Sequence, residues 1–321
     1  MKRSAVAICT KERPELVRRV CTSIAEVRPN MTVMVIDASS DDQTLEVCAA
    51  LRGGNPPLDV RHHPAIRPGL TRQRNQAISH CEEIEAEIVH FLDDDALIFP
   101  GYFDAIERRF ELDDRIGGVG GAVQNAPKEL HWRFNRLFLL SGKYPYTIRR
   151  SGRVVNPQSA LPGRGAPRSP NVRDIQWLQG FAMSYRIEVL RGLKFNERLK
   201  GYSFGEDRDF SFRVSKSWKL AVEADAWCEH RRAETGRMDA RRFGFESTVL
   251  TYAWLQSLRS IKCFRLAFFW SALGDVLRHL AAAATNQSGL AGPDPSGHAR
   301  GVIRGLATIA LKTSDLYGAV G

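Results

Sequence analysis

The chain has little that would crosslink or anchor it. Its six cysteines, Cys9, Cys21, Cys48, Cys81, Cys228 and Cys263, are scattered with no CxxC pair. That speaks against a disulfide framework and a zinc ribbon, and for reduced thiols. The opening "MKRSAVAICTKERPE" returns to charge after a very short apolar stretch, so no signal peptide is expected there. Long apolar runs are missing too. The most hydrophobic late segment, "LAFFWSALGDVLRHLAAAA" (266–284), is broken by Asp275, Arg278 and His279 and makes a poor membrane span. No internal repeat is found. These absences predict a cytoplasmic chain with an ordinary packed core.

Basic residues exceed acidic ones, 46 Lys+Arg against 36 Asp+Glu, for a net charge of +10. The surplus favours anionic partners: nucleic acid, anionic lipid or phosphorylated ligands. A solvated basic surface is the plain alternative. The basic residues are spread along the chain without a recognisable binding motif, so no nucleic-acid partner is expected.

Short apolar runs alternate with helical patterns in the first part of the chain. "SAVAIC" (4–9), "TVMVID" (32–37), "DVRHH" (59–63) and "EIVHFL" (87–92) read as buried strands. Between them, "PELVRRVCTSIAEV" with Pro14 at its start, "DDQTLEVCAAL" and "LTRQRNQAISHCEEI" read as helices. The alternation predicts an α/β fold with a mostly parallel, Rossmann-like sheet flanked by helices. Residues 144–174, rich in Pro, Gly and Arg, carry no periodicity. "WLQGFAMSYR" (177–186) and "KLAVEADAWCEH" (219–230) read as strands, and "EDRDFSFRVSKSW" (206–218) as a helix. From about residue 239 the pattern is helical, interrupted at 286–297.

Chemistry concentrates at the strand ends. "FLDDDA" places Asp93, Asp94 and Asp95 directly after an apolar run, at the edge where such sheets bind ligands. Hard carboxylate oxygens suit Mg²⁺ or Mn²⁺ carrying substrate phosphates. Helix capping would explain one aspartate but not three. "VIDASSDD" ends the second strand with Asp37, placed to accept hydrogen bonds from a base. "GLTRQRN" sets Arg72 and Arg74 near a helix start, where phosphate is favoured, and "ICTKERP" sets Thr10 and Arg13 just past the first strand. Each has a bland reading as turn residue or solvated charge.

"ICTKERPE", "VIDASSDD", "GLTRQRNQAI", "FLDDDA", "WLQGFAMSYR" and "GEDRDFSFR" occur in the order seen in family 2 glycosyltransferases of GT-A fold, which the chain resembles from residue 4 to about 235. The resemblance implies a nucleotide-sugar donor, a UDP-sugar by the family's habit. It also implies an aspartate-bound Mn²⁺ or Mg²⁺ and direct displacement with inversion. Thr10 and Asp37 match the residues holding the base, and Arg74 the arginine that reaches base or diphosphate. Asp93 looks like the first acid of the DxD signature, near ribose and metal, with Asp94 beside it, and Asp95 like the metal ligand. Asp207 matches the general base, an acid that must reach the acceptor hydroxyl opposite the leaving group. Glu206 would help orient that acceptor. His230 resembles the histidine that completes the metal site, and Gly180 the glycine beside the donor sugar. Two departures stand out: the 144–174 segment has no counterpart, and "LKFNERLKGYSFGED" has only a compressed version of the usual glycine-glycine-phenylalanine.

The expected organisation is a GT-A catalytic domain over 1–235, with a nucleotide-sugar half (1–124) and an acceptor half (125–235), and a helical extension over 236–321. The acceptor is expected to be a glycan, a lipid-linked sugar or a small-molecule hydroxyl. The apolar and aromatic stripe of 239–284, mixed with basic residues, fits either peripheral contact with the inner face of a membrane or a homodimer. Rival functions are weaker. "GYSFG" fits GxSxG, making Ser203 a hydrolase nucleophile with His230 as base, but "KFNERLK" before it is charged and turn-like rather than an apolar strand. A sugar nucleotidyltransferase would want a glycine-rich N-terminal loop, and "ICTKERPE" contains no glycine.

Overall fold

A computed structural model describes residues 3–123, 134, 137, 138, 140, 141, 144, 145, 176–200, 203–231, 238–257, 264–285, 294–311 and 315–320. The chain divides into two units: 1–126 with 156–197 and 206–233, and 127–155 with 198–205 and 234–321.

The first unit runs β1 (Ser4–Thr10), α1 (Pro14–Val27), β2 (Thr32–Asp37), α2 (Gln43–Arg52), β3 (Asp59–Pro64), α3 (Leu70–Glu83), β4 (Ile88–Asp93), β5 (Ala96–Ile98), α4 (Tyr102–Leu112) and β6 (Ile116–Val123). The two-residue strands β7 (Leu140–Ser141) and β8 (Tyr144–Pro145) belong to the second unit. The first unit resumes with β9 (Ala182–Arg186), α5 (Ile187–Gly192), α6 (Glu206–Val214) and β10 (Lys219–His230). Its eight strands form one sheet in the order β3-β2-β1-β4-β9-β6-β10-β5. β1, β2, β3 and β4 pair in parallel, as do β6 and β10, whereas β9 and β5 run antiparallel to their neighbours.

Alternate residues of each central strand feed opposite cores. Val6 and Ile8 of β1, Val33 and Val35 of β2, and Leu92 of β4 pack with Val17, Val20, Cys21 and Ile24 of α1. Ala5, Ala7, Met34, Ile36, Val89 and Phe91 pack on the other face with Ala77, Ile78 and Cys81 of α3. Both faces are covered, so these strands read as unbroken apolar runs rather than as alternation. Pro14 opens α1, where its fixed φ suits a first helical turn and its missing N–H leaves no helical bond unmade.

The second unit is built on α7 (Ala240–Ser257), α8 (Phe264–Ala284) and α9 (Pro295–Leu311), followed by a single 3₁₀ turn, Leu316–Ala319. α7 and α9 meet backbone to backbone: a Cβ added at Gly301 would lie 2.0 Å from the Arg241 carbonyl oxygen. Among the described residues, no helix is long and apolar enough to cross a membrane.

Candidate active site

Backbone register alone aligns the first candidates. Thr10 pairs with Asp37 across β1 and β2, and Cys9 with Asp93 across β1 and β4. Asp37, Thr10 and Asp93 therefore stand side by side at the carboxyl ends of three parallel strands, the edge at which open α/β sheets bind ligands.

The three consecutive aspartates turn three ways. Asp93 accepts from Arg74 at 2.9 Å. Asp94 accepts from the Thr10 hydroxyl at 2.8 Å and from Arg13 at 3.0 Å. Asp95 faces His230 Nε2 at 3.2 Å. That last contact is set by the sheet: β5 pairs antiparallel with β10, Ala96 opposite His230, and the Arg231 N–H donates to the Asp95 carbonyl at 3.0 Å. The Phe181 ring stacks on His230, 4.5 Å between centroids and 7° from parallel.

Asp93, Asp95 and His230 each offer a ligand atom, and these atoms lie within 4.8 Å of one another. Two carboxylates and one imidazole, all partly exposed, fit an oxygen-preferring divalent cation that keeps positions open for substrate. Electrostatics agrees. Burial and the nearby Asp95 and Asp207 raise the Asp93 pKa despite Arg74 and His230. Asp94 is pushed up to about 6, chiefly by burial, with Arg13 and Thr10 opposing. A site that strains its own carboxylates in this way is relieved by a bound cation.

Arg74 is the hub. Expected to reach the base or diphosphate, it is only 2% exposed and turned inward. It donates to Asp93, donates to the Gly180 carbonyl at 2.9 Å and ion-pairs with Glu206. Burial works against its charge, but Glu206 and Asp93 hold it on. Arg72 stays partly exposed, 3.8 Å from Glu197. Glu206 at the start of α6 is pushed up to about 8, chiefly by burial, with Arg74 opposing and Asp207 adding. Its Oε2 is buried with no hydrogen-bond partner among the described residues.

Asp207, next along, is partly exposed and accepts from the Gly180 N–H at 2.9 Å and the Arg208 N–H at 2.7 Å. Gly180 is also bare for a reason internal to the chain. A Cβ there would lie 2.7 Å from Glu206 Oε1, 3.0 Å from Asp207 Cβ and 3.3 Å from Arg74. Its bareness makes room for the acids.

Asp37 is buried. It accepts from the Ser39 N–H at 2.9 Å and from the Ser39 hydroxyl, and His62 Nε2 lies 3.1 Å from its other oxygen. Gln73, also buried, donates to the Thr10 and Ile36 carbonyls at 3.0 and 2.8 Å, tying the ends of β1 and β2 together. The sequence singled out neither His62 nor Gln73. The only signal for Gln73 was its place between Arg72 and Arg74. Burial pushes the thiol of Cys9, inside the same edge, up to about 12. Ser203 is buried, with its hydroxyl donating to the Leu199 carbonyl at 2.9 Å, and residues 193–200 before it contain no strand. A nucleophile elbow needs that strand and an open hydroxyl.

The structure is an α/β scaffold whose ligand-binding edge gathers acids able to hold a divalent cation. The chain belongs to Glycosyl transferase family 2, whose family model matches residues 5–165, and it is a glycosyltransferase. None of the curated proteins matches its sequence. Among solved structures, it is similar to the mannosyltransferase PcManGT from Pyrobaculum calidifontis in complex with GDP-Man and Mn²⁺, at 18% identity and TM-score 0.55, covering 99% of this chain and 82% of that one. It is also similar to TarS 1–349 of S. aureus in complex with UDP-GlcNAc, at 18% identity and TM-score 0.52, covering 100% and 84%. A third is glucosyl-3-phosphoglycerate synthase from Mycobacterium tuberculosis with Mn²⁺, UDP and phosphoglyceric acid, at 17% identity and TM-score 0.51, covering 82% and 80%. These likenesses establish the GT-A type of fold.

Proposed function

We propose that the enzyme moves a sugar from a UDP-sugar to a hydroxyl acceptor with inversion, with Mn²⁺ or Mg²⁺ held by Asp93, Asp95 and His230 and with Asp207 as general base. The observation that carries this reading is the Arg74 bridge, which fixes the Asp93 carboxylate on one side and Glu206 of α6, next to Asp207, on the other. On this reading, residues 1–124 recognise the donor and 125–235 the acceptor, with 236–321 a separate helical region. Asp37, aligned by Ser39 and His62, holds the base, and Thr10, Arg13 and Asp94 form the wall beside it.

In the transfer, Asp207 takes the proton of the acceptor hydroxyl as its oxygen bonds to the anomeric carbon. The bond from that carbon to the diphosphate breaks on the opposite face, and the nucleoside diphosphate leaves. The Gly180 N–H orients Asp207 for this step, and Glu206 offers its Oε2 to a second acceptor hydroxyl. When bound, the cation offsets the charge building on the departing diphosphate.

The acceptor fits a glycan, a glycolipid or a secondary metabolite. A lipid-linked one is supported by α8, whose exposed Leu266, Phe269, Trp270, Leu273, Leu277 and Leu280 recur at helical spacing. Exposed charges on α8 and α9 are Arg265, Arg300 and Arg304, with no exposed acid among them. That pattern suits an anionic bilayer surface better than a second copy carrying the same charges.

The test is a thermal-shift series with UDP, GDP and dTDP, each with and without Mn²⁺. A nucleotide at a hundred times its Kd stabilises by about 2.7 kcal/mol. UDP is expected to act strongly and only with Mn²⁺. A shift with GDP or dTDP instead would replace the base, and no shift at all would remove the donor reading.

A further inference from the structure

The second unit holds a cluster that sugar transfer leaves unused. Asp275 and His279 stand one turn apart on α8, the i, i+4 spacing that sets two side chains on one helix face. His298 enters from α9. All three are buried, Asp275 to 1%, His279 to 4% and His298 to 8% exposure. His298 Nε2 lies 3.1 Å from Asp275 Oδ2. His279 Nδ1 lies 3.4 Å from Asp275 Oδ1 and 2.8 Å from the Asp275 carbonyl oxygen. The two imidazoles stack with centroids 3.8 Å apart. One ligand atom from each residue falls within 4.8 Å of the other two.

A tetrahedral ion with bonds of ~2.0–2.1 Å sets its ligand atoms roughly 3.3 Å apart. Each imidazole nitrogen already lies near that distance from one carboxylate oxygen, His298 3.1 Å from Oδ2 and His279 3.4 Å from Oδ1. A second observation points the same way. Ser271, one turn before Asp275 on the same face of α8, buries its hydroxyl with no hydrogen-bond partner among the described residues. Buried orphans of this kind mark a missing water or ion.

We propose that Asp275, His279 and His298 form a second metal site, a structural one for Zn²⁺, clipping α8 to α9. Two imidazole nitrogens and one carboxylate select Zn²⁺ over the Mg²⁺ or Mn²⁺ suited to the oxygen-rich Asp93, Asp95 and His230. The ion takes one ring nitrogen of each imidazole, drawing His279 Nδ1 from the Asp275 main-chain carbonyl and His298 Nε2 from the carboxylate. Each imidazole binds in its neutral form with its proton on the outer nitrogen. The stacked rings tilt apart so that each lone pair aims at the ion, and a water completes the tetrahedron with the Ser271 hydroxyl as partner. Arg278, 2.7 Å from Asp275 Oδ1 with its side chain 15% exposed, swings its charge to solvent. The site stands independently of the proposed donor and acceptor.

The experiment is equilibrium dialysis of the intact protein, stripped of metal, against micromolar Zn²⁺ in millimolar Mg²⁺, with bound zinc measured by mass spectrometry. The magnesium fills carboxylate sites but does not compete for nitrogen-rich ones. The expected result is about one zinc per chain, with a higher melting temperature that a chelator reverses. His298→Gln should lose the zinc while keeping its far-ultraviolet dichroism. Should that variant fail to fold, zinc-edge X-ray absorption of the wild type decides, with two imidazoles in the first shell expected. No retained zinc, zinc undiminished in folded His298→Gln, or a shell without two imidazoles each overturns the site and leaves a hydrogen-bonded knot.

Discussion

The Gly180 amide donates to Asp207 Oδ2 over 2.9 Å, so the residue without a side chain aligns the acid proposed to do the chemistry. Substituting Gly180→Ala pushes a methyl against Glu206 and Asp207. Overpacking of this kind costs about 1–3 kcal/mol. We expect a lower melting temperature and a kcat loss that exceeds any change in nucleotide Kd. If the glycine instead cleared space for the donor sugar, the loss would fall on donor binding.

Asp207→Asn keeps the size and the Gly180 contact but removes the proton acceptor. Transfer should fall by ~10²–10⁴-fold, the usual worth of a general base. Donor binding in the thermal-shift assay should be unchanged. Near-wild-type turnover would assign the base elsewhere.

Asp95→Ala removes one carboxylate from the Asp93, Asp95 and His230 group. Mn²⁺-dependent nucleotide binding should vanish while the metal-free protein melts no lower than wild type, since one of several crowded negative charges is gone. Melting curves with and without Mn²⁺ check both halves. A sharply destabilised apo protein would make Asp95 structural.

Glu206 sets a pH dependence of stability. Its pKa rises from 4.5 to about 8 on folding, so between those values the folded state holds a proton that the unfolded chain has released. The stabilisation is full below pH 4.5 and is lost as pH rises through about 8. In chelator, the wild-type melting temperature should fall relative to Glu206→Gln from about pH 5 to about pH 9. Parallel curves for the two proteins would mean that Arg74 keeps Glu206 ionised throughout.

The α8 stripe gives a prediction independent of the active site. Leu273→Glu combined with Leu277→Glu changes two exposed side chains, so folding should be retained. Wild-type protein should sediment with vesicles containing anionic lipid and not with neutral ones, and the double variant with neither. Dimerisation that the double variant abolishes, without vesicle binding, would make the stripe a contact between copies.

The fold was legible where burial on both faces writes apolar runs into the sequence, as in β1, β2 and β4. β10 was read end to end. β6, "IGGVGGAV", was not. Gly117, Gly118 and Gly121 lie beneath the Trp218, Tyr185 and Tyr102 side chains, where a Cβ would come within 3 Å, and a strand made bare for its neighbours carries no β signal of its own. β5, three residues long, is too short to show a period, and strand direction, antiparallel for β9 and β5, is not encoded locally. The 144–174 segment lies outside the described residues apart from Tyr144 and Pro145. At the site, spacing pointed to the acids but not to their directions. Arg74 faces inward because α3 buries the face bearing Thr71, Arg74, Ala77, Ile78 and Cys81, and the partner awaiting it, Glu206, comes from a helix 132 positions later in the chain.

The antiparallel stitch between β5 and β10 reaches beyond fold. Ala96 sits opposite His230, the Arg231 amide closes on the Asp95 carbonyl, and Phe181 braces the imidazole. The two partners are held by main chain rather than by floppy side-chain reach, so an arriving cation has little freedom left to freeze out. On the proposed reading, little rearrangement would separate this pair from its cation-bound form.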